Sequence, residues 1–278
     1  MARARAFVQV DVFGAAPYAG NPLGVVLEAQ GLSGDEMQQL TSWANLSETT
    51  FVLAPTDPGA DYLARIFSPM GELPFAGHPT LGTAHAWMAH TGAGKERASV
   101  VQECGAGLVT VRRSAYGLAF EAPPLQRSGP VETDLVAELA SGLGIGEAEV
   151  VEAQWVDNGP GWVALLLEDA ASVLALHPGT VDRPVGAVGF YDQGEAAAYE
   201  VRAFFPKDGV IVEDPVTGSL NASLAQWLVG SGRIRPPYMV SQGTALGRRG
   251  RVHVDCGDDG EVWVGGQTVT CIRGQVFA

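Results

Sequence analysis

Arg65-Ile66-Phe67-Ser68-Pro69, followed by Gly77-His78-Pro79-Thr80-Leu81-Gly82, returns in outline as Arg202-Ala203-Phe204-Phe205-Pro206, followed by Asp214-Pro215-Val216-Thr217-Gly218-Ser219. Each stretch reads as a short apolar strand, a linker, a turn rich in Thr and Gly, and then a helix that carries a tryptophan. That tryptophan is Trp87 in the first stretch and Trp227 in the second. Self-similarity at long spacing is the mark of a duplicated unit. The expectation is two similar α+β halves related by a pseudo-twofold. Residues 1–117 form the N-terminal half, which can also receive the last C-terminal strand, and residues 118–278 form the C-terminal half. Two such halves would aim two helix N-termini at one cleft between them. Free N–H groups at a helix start favour anions, and small residues there let a ligand approach the backbone.

The chain around these stretches supports the α+β reading. Phe7 to Phe13 alternates like a strand, Asn21-Pro22 reads as a turn, and Leu23 to Leu27 is a second apolar run. Ser33 with Glu36 forms a capping-box pattern before Met37, Leu40 and Ala44, and Asn45 is a stop signal. Strands are expected at Thr50–Leu53, Tyr62–Phe67, Val100–Val101, Leu108–Val111 and Leu118–Phe120. A helix should begin near Pro79, because proline is favoured in a first helical turn. In the second half, helices are expected at Asp134–Leu139, Ala170–Leu176 and Leu220–Leu228, the last ended by Gly230. Strands are expected at Trp162–Leu167, Val201–Phe205, Tyr238–Val240, Arg251–Val254, Val262–Val264 and Val269–Ile272. Strands and helices do not alternate strictly, which disfavours a doubly wound parallel sheet.

Composition narrows the function. Lys+Arg 17 against Asp+Glu 31 gives a net charge of −14, which argues against nucleic acid or an anionic membrane as partner. No apolar run is long enough to span a bilayer. The arginines at the N-terminus are followed by an alternating stretch that meets Asp11 too soon for a signal segment, so a soluble cytoplasmic protein is expected. The three cysteines, Cys104, Cys256 and Cys271, have no disulfide or zinc spacing. The five histidines show no metal pattern, and a helix-surface place is the default for His85 and His90. Dinucleotide, P-loop and serine-hydrolase motifs are missing.

Three residues could carry proton chemistry. Glu48 lies in Asn45-Leu46-Ser47-Glu48-Thr49-Thr50-Phe51, among small or apolar neighbours. If desolvated it would have a raised pKa suited to moving a proton near neutrality; the simpler reading is a capping or solvated glutamate. Asp214 is either an anion held by a helix N-terminus or a functional carboxylate. His78 is a turn residue or a donor to substrate.

Together with Asp11-Val12-Phe13, Gly20-Asn21-Pro22, Asn45-Leu46-Ser47-Glu48-Thr49, Gly77-His78-Pro79-Thr80 and Glu213-Asp214-Pro215-Val216-Thr217-Gly218-Ser219, the chain resembles the PhzF family of phenazine-biosynthesis-like isomerases. The resemblance implies a diaminopimelate-epimerase-like fold, each half a mixed or antiparallel sheet wrapped around a central helix. It implies that Glu48 is the general acid/base, that His78 and Asp214 stand beside the substrate, and that Gly77, Thr217, Gly218 and Ser219 surround it. The reaction implied is movement of a proton within a small cyclic carboxylate, with no metal or organic cofactor, in a homodimer. The family often reads Ser-Ala-His where this chain has Ser219-Leu220-Asn221, and Ala where it has Pro79. Related racemases and epimerases use a thiol in each of the two turns, and neither turn here holds a cysteine. The alternatives are an amino-acid racemase or epimerase working through carboxylates, and a carboxylate-binding protein without catalysis.

Overall fold

The computed structural model describes residues 3–93, 97–207 and 209–278, and it divides into two compact units. The first comprises Met1–Glu121 with Gly265–Ala278, and the second Ala122–Val264.

The first unit holds β1 (Ala4–Val12), β2 (Asn21–Val26), α1 (Gly34–Ala44), β3 (Thr49–Leu53), β4 (Tyr62–Ser68), β5 (Gly71–Leu73), α2 (Gly77–Thr91), β6 (Ser99–Cys104), β7 (Gly107–Ser114) and β8 (Gly117–Glu121). The second holds β9 (Arg127–Pro130), α3 (Thr133–Gly142), β10 (Val150–Asp157), β11 (Val163–Leu167), α4 (Ala170–Leu174), β12 (Val185–Phe190), β13 (Tyr199–Lys207), β14 (Val210–Asp214), α5 (Gly218–Gly230), β15 (Tyr238–Gln242), β16 (Gly250–Cys256) and the start of β17 (Val262–Gly266), whose last two residues are counted with the first unit. The final strand, β18 (Thr268–Phe277), pairs antiparallel with β1.

The duplication seen in the sequence is a duplication of topology. In the first unit β1 and β2 are antiparallel, β2 and β3 parallel, β3 and β4 antiparallel, β4 and β5 a hairpin, β4 and β6 parallel, and β6 and β7 antiparallel. The second unit repeats this series with β10 to β16. Parallel neighbours need a crossover, and α1 and α4 supply one in each unit, while α2 and α5 supply the other. The matched Arg-x-Phe strands behave alike. Arg65 lies over Phe67 and Arg202 over Phe204, each 5.1 Å from the ring centre. Each arginine also ion-pairs with a glutamate on the hairpin partner, Glu72 or Glu213.

The two crossover helices α2 and α5 form the middle of their units. Gly77 through Ala84 are all buried in α2, as are Gly218, Leu220 through Ala225 and Leu228 in α5. A helix that is apolar on every side belongs in a core. Packing there is close: a Cβ on Gly82 would fall 2.5 Å from Leu23 Cδ2, and one on Gly186 would fall 2.6 Å from Leu220 Cδ2. Around α1 the core is Val26, Met37, Phe51 and Phe67, with the two phenyl rings edge to face at 5.6 Å. In the second unit Leu139, Trp155, Leu165, Val173 and Phe204 form the corresponding cluster.

Several sequence expectations need adjustment. Asn21-Pro22 is the start of β2 and not a turn; the turn lies before it, beginning at Phe13, which has φ 63. The helix expected near Pro79 is there: it begins at Gly77, with Pro79 in its first turn. Strands β5, β9, β10, β12 and β14 were not expected. The β12 sequence Val-Gly-Ala-Val-Gly-Phe carries two glycines, and Leu220 and the Asp169 carbonyl leave no room for a side chain at either. Among the described residues, no helix is long and apolar enough to cross a membrane.

Candidate active site

In the first unit the geometry begins at the end of β1. Asp11 is buried, and its Oδ2 accepts the Gly20 N–H at 2.7 Å. Gly20 has no room for a side chain, since a Cβ would sit 2.0 Å from the Val12 carbonyl oxygen. This tight turn delivers Asn21, fully buried, to the start of β2. Asn21 Nδ2 lies 3.4 Å from His78 Nδ1. An amide nitrogen can only donate, so Nδ1 accepts and the ring proton sits on Nε2. His78 Nε2 lies 3.3 Å from Glu48 Oε2.

Glu48 is brought there from the other side. The capping box of Ser33 and Glu36 starts α1, with both reciprocal bonds formed. Asn45 ends it in the left-handed region at φ 52, and the chain then turns through residues 46–48 into β3. The Glu48 side chain is 17% exposed and that of His78 6%. Burial lowers the His78 pKa to about 3, so the imidazole is neutral, and its buried Nε2 stands near the carboxylate without forming a hydrogen bond. His78 is the second residue of α2. The N-cap of that helix is Ala76, without a side-chain cap, and no acidic residue stands in the first turn. The positive end of the helix is therefore left to whatever lies in front of it.

The second unit repeats the uncapped start. Thr217 is the N-cap of α5 but makes no cap bond. Its hydroxyl donates to Asp214 Oδ2 at 2.6 Å instead. Ser219 Oγ accepts the Trp162 indole N–H at 3.1 Å. An indole nitrogen cannot accept, so the serine keeps its own proton to donate elsewhere. Asn158 Nδ2 donates to the Ser219 carbonyl at 2.9 Å.

Thus Glu48 and His78 come together in one unit, with Gly77 beside them at the helix start. In the other, Asp214, Thr217, Gly218 and Ser219 lie along one turn and the helix it opens. Asn21, Trp162, Asn158 and Gln242 escaped the sequence reading as functional residues. Asn21 stood in a quoted motif without a role, and the others had no sequence signal. His85 is not a plain surface residue. Its Nε2 lies 3.0 Å from Thr270 Oγ1, and burial, together with Arg273 and Arg113, lowers its pKa. His90 is exposed beside Glu28. The three cysteines are free, and the N-caps of the two central helices are Ala76 and Thr217. Among the described residues, no three His, Cys, Asp or Glu side chains cluster as metal ligands would.

The chain matches the PhzC-PhzF model, phenazine biosynthesis-like protein, over residues 10–274, and it belongs to that family. It is 36% identical over 294 residues to antisense-enhancing sequence 1 of Schizosaccharomyces pombe, covering 98% of each chain. It is also 36% identical over 252 residues to the trans-2,3-dihydro-3-hydroxyanthranilate isomerase of Pseudomonas chlororaphis, covering 87% of each. Among solved structures, a predicted epimerase from Pseudomonas aeruginosa superposes with TM-score 0.80 at 26% identity, covering 98% of this chain and 99% of that one. A hydroxyproline epimerase from Agrobacterium vitis shares the fold at TM-score 0.58 and 15% identity, covering 99% and 91%. The chain is an isomerase by family.

Proposed function

We propose that this isomerase moves a proton within a small cyclic carboxylate of the dihydro-hydroxyanthranilate type, with Glu48 as the acid/base. The observation that carries the reading is Glu48 Oε2 at 3.3 Å from the Nε2 of a neutral His78. A neutral imidazole beside the carboxylate forms no ion pair that would hold the base inert. Glu48 takes the proton from one ring carbon, the electron pair shifts along the conjugated system, and the same carboxyl returns a proton at another carbon. Atoms and charge balance without a further reactant. His78 stands beside the Glu48 carboxyl as a neutral ring, 3.3 Å away at Nε2. Within the second unit, Asp214 suits an amine or hydroxyl, and the hydroxyl of Ser219 and the N–H groups at the start of α5, beginning at Gly218, suit a carboxylate. Gly77 offers the same approach at the start of α2.

The test is turnover of trans-2,3-dihydro-3-hydroxyanthranilate in deuterated water, read by mass spectrometry. Glu48→Gln should retain its circular dichroism and lose deuterium incorporation by about a thousandfold, the range expected for removal of a general base. Exchange retained at the wild-type rate in that variant would remove Glu48 from the mechanism.

A further inference from the structure

The working role of Asp214 belongs to the reading above, and this inference rests on it. A hydroxyl carries one proton, and that of Thr217 is committed to Asp214. Its oxygen must then accept from elsewhere, and the donor is Gln242 Nε2 at 2.9 Å. Gln242 ends β15, is fully buried, and uses both amide atoms twice. Nε2 also donates to the Asp214 backbone carbonyl at 3.1 Å. Oε1 accepts the Thr217 N–H at 2.9 Å and Asn221 Nδ2 at 2.7 Å. Exchanging the amide's oxygen and nitrogen would set donor against donor at two of these contacts, so one orientation is fixed. A single side chain therefore grips both ends of the Asp214-Pro215-Val216-Thr217 turn. The surroundings leave no slack: a Cβ on Gly243 would meet the Pro215 carbonyl at 2.6 Å, and one on Gly250 would meet Val216 at 2.3 Å.

We propose that Gln242 is a positioning residue for the isomerase, holding Asp214 in one orientation as an ionised acceptor by way of the Thr217 hydroxyl. Thr217 is thereby assigned to Asp214 and not to the substrate, because its proton is already used. A donor aimed at a carboxylate favours the ionised form, so removing it raises the carboxyl's pKa. Other charged groups stand on the neighbouring elements. On β13, Arg202 pairs with Glu213 of β14, the buried Glu200 accepts the Tyr191 hydroxyl at 2.8 Å, and Lys207 ends the strand. Arg251 on β16 bonds to Ser241, and Arg248 packs beside Gly243. His253 and Asp255 are the remaining ionisable side chains of β16 outside Cys256, Tyr238 is that of β15, and α5 carries none.

The experiment is a carbon-13 titration of the full chain labelled at aspartate carboxyls, with the Asp214 signal assigned by its loss in Asp214→Asn. Thr217→Val should raise the Asp214 pKa by about one unit. Gln242→Met removes both donors without adding a charge, and it should raise the value as well. Thr217→Ser keeps the hydroxyl and should leave the value in place. An Asp214 titration unmoved by Thr217→Val or by Gln242→Met overturns the proposal, as does a shift in Thr217→Ser equal to that in Thr217→Val. If Gln242→Met does not fold by circular dichroism, Gln242→Leu and Gln242→His are read in its place by the same criterion. Full isotope exchange by Asp214→Asn would instead remove Asp214 from the reaction and leave the titration result standing as a purely structural relay.

Discussion

His78 shows how much one buried side chain can reveal about its site. Its pKa lies near 3 in the folded chain, below the ordinary 6.5, because burial penalises the charged ring. The unfolded chain therefore gains a proton as pH falls through 6.5, while the folded chain does not until near 3. Stability is full above about 6.5 and declines as pH falls through that window, at about 1.4 kcal/mol per pH unit for one proton. This amounts to about 2 kcal/mol between pH 7 and pH 5. Urea unfolding at pH 7, 6 and 5 should show the gap between wild type and His78→Gln narrowing by that amount at the lower pH. His85 and His253 also have lowered values, and their effect cancels because both proteins keep them. Parallel pH curves would mean that His78 titrates in the folded state as it does in the unfolded chain. The candidate carboxylates themselves were legible in the sequence as residues. The 3.3 Å approach of His78 and the Asn21 amide behind it were not, since Asn21 and His78 stand 57 residues apart along the chain.

Elements governed by near neighbours were legible, and those governed by distant ones were not. The capping box at Ser33 and the stop at Asn45 are interactions within a few residues, and both formed as read. Gly20 is different: it is required by contact with Val12 and Gly14, which a list of residues does not rank above any other glycine. Gly20→Ala would drive a methyl group into the Val12 carbonyl and strain the Asp11 contact to the Gly20 N–H. The cost should be about 3 kcal/mol, the upper end for overpacking, and thermal unfolding should show it. A melting temperature equal to wild type would mean that the turn can relax. Strand β12 was missed for the same reason that Gly20 was not ranked: its glycines mark close approach rather than a break in the chain.

Across the whole molecule, the repeated Arg-x-Phe strand gives a comparison built into one chain. Arg65 and Glu72 are 30% and 43% exposed, while Arg202 and Glu213 are 6% and 10% exposed. Arg202 also donates to the Leu176 carbonyl at 2.8 Å and the Val173 carbonyl at 3.3 Å. A solvated pair adds less than about 1 kcal/mol, because water screens it. Breaking a buried pair leaves a desolvated charge and costs about 3–5 kcal/mol. Denaturant unfolding should therefore separate Arg65→Ala from Arg202→Ala by at least about 2 kcal/mol. Equal losses would mean that the two repeats bury this position alike. The sequence by itself determined the duplicated order of strand, turn and helix, the local caps, and the identity of the residues at each helix start. Each of these depends on neighbours a few positions away and on side-chain chemistry alone. Only the tertiary structure decided which copy of a repeated pair is dry, which way the His78 proton points, and that Gln242 grips the turn after Asp214. Those outcomes follow from desolvation and from directional hydrogen bonds to groups far along the chain, and neither is set until the strands have come together.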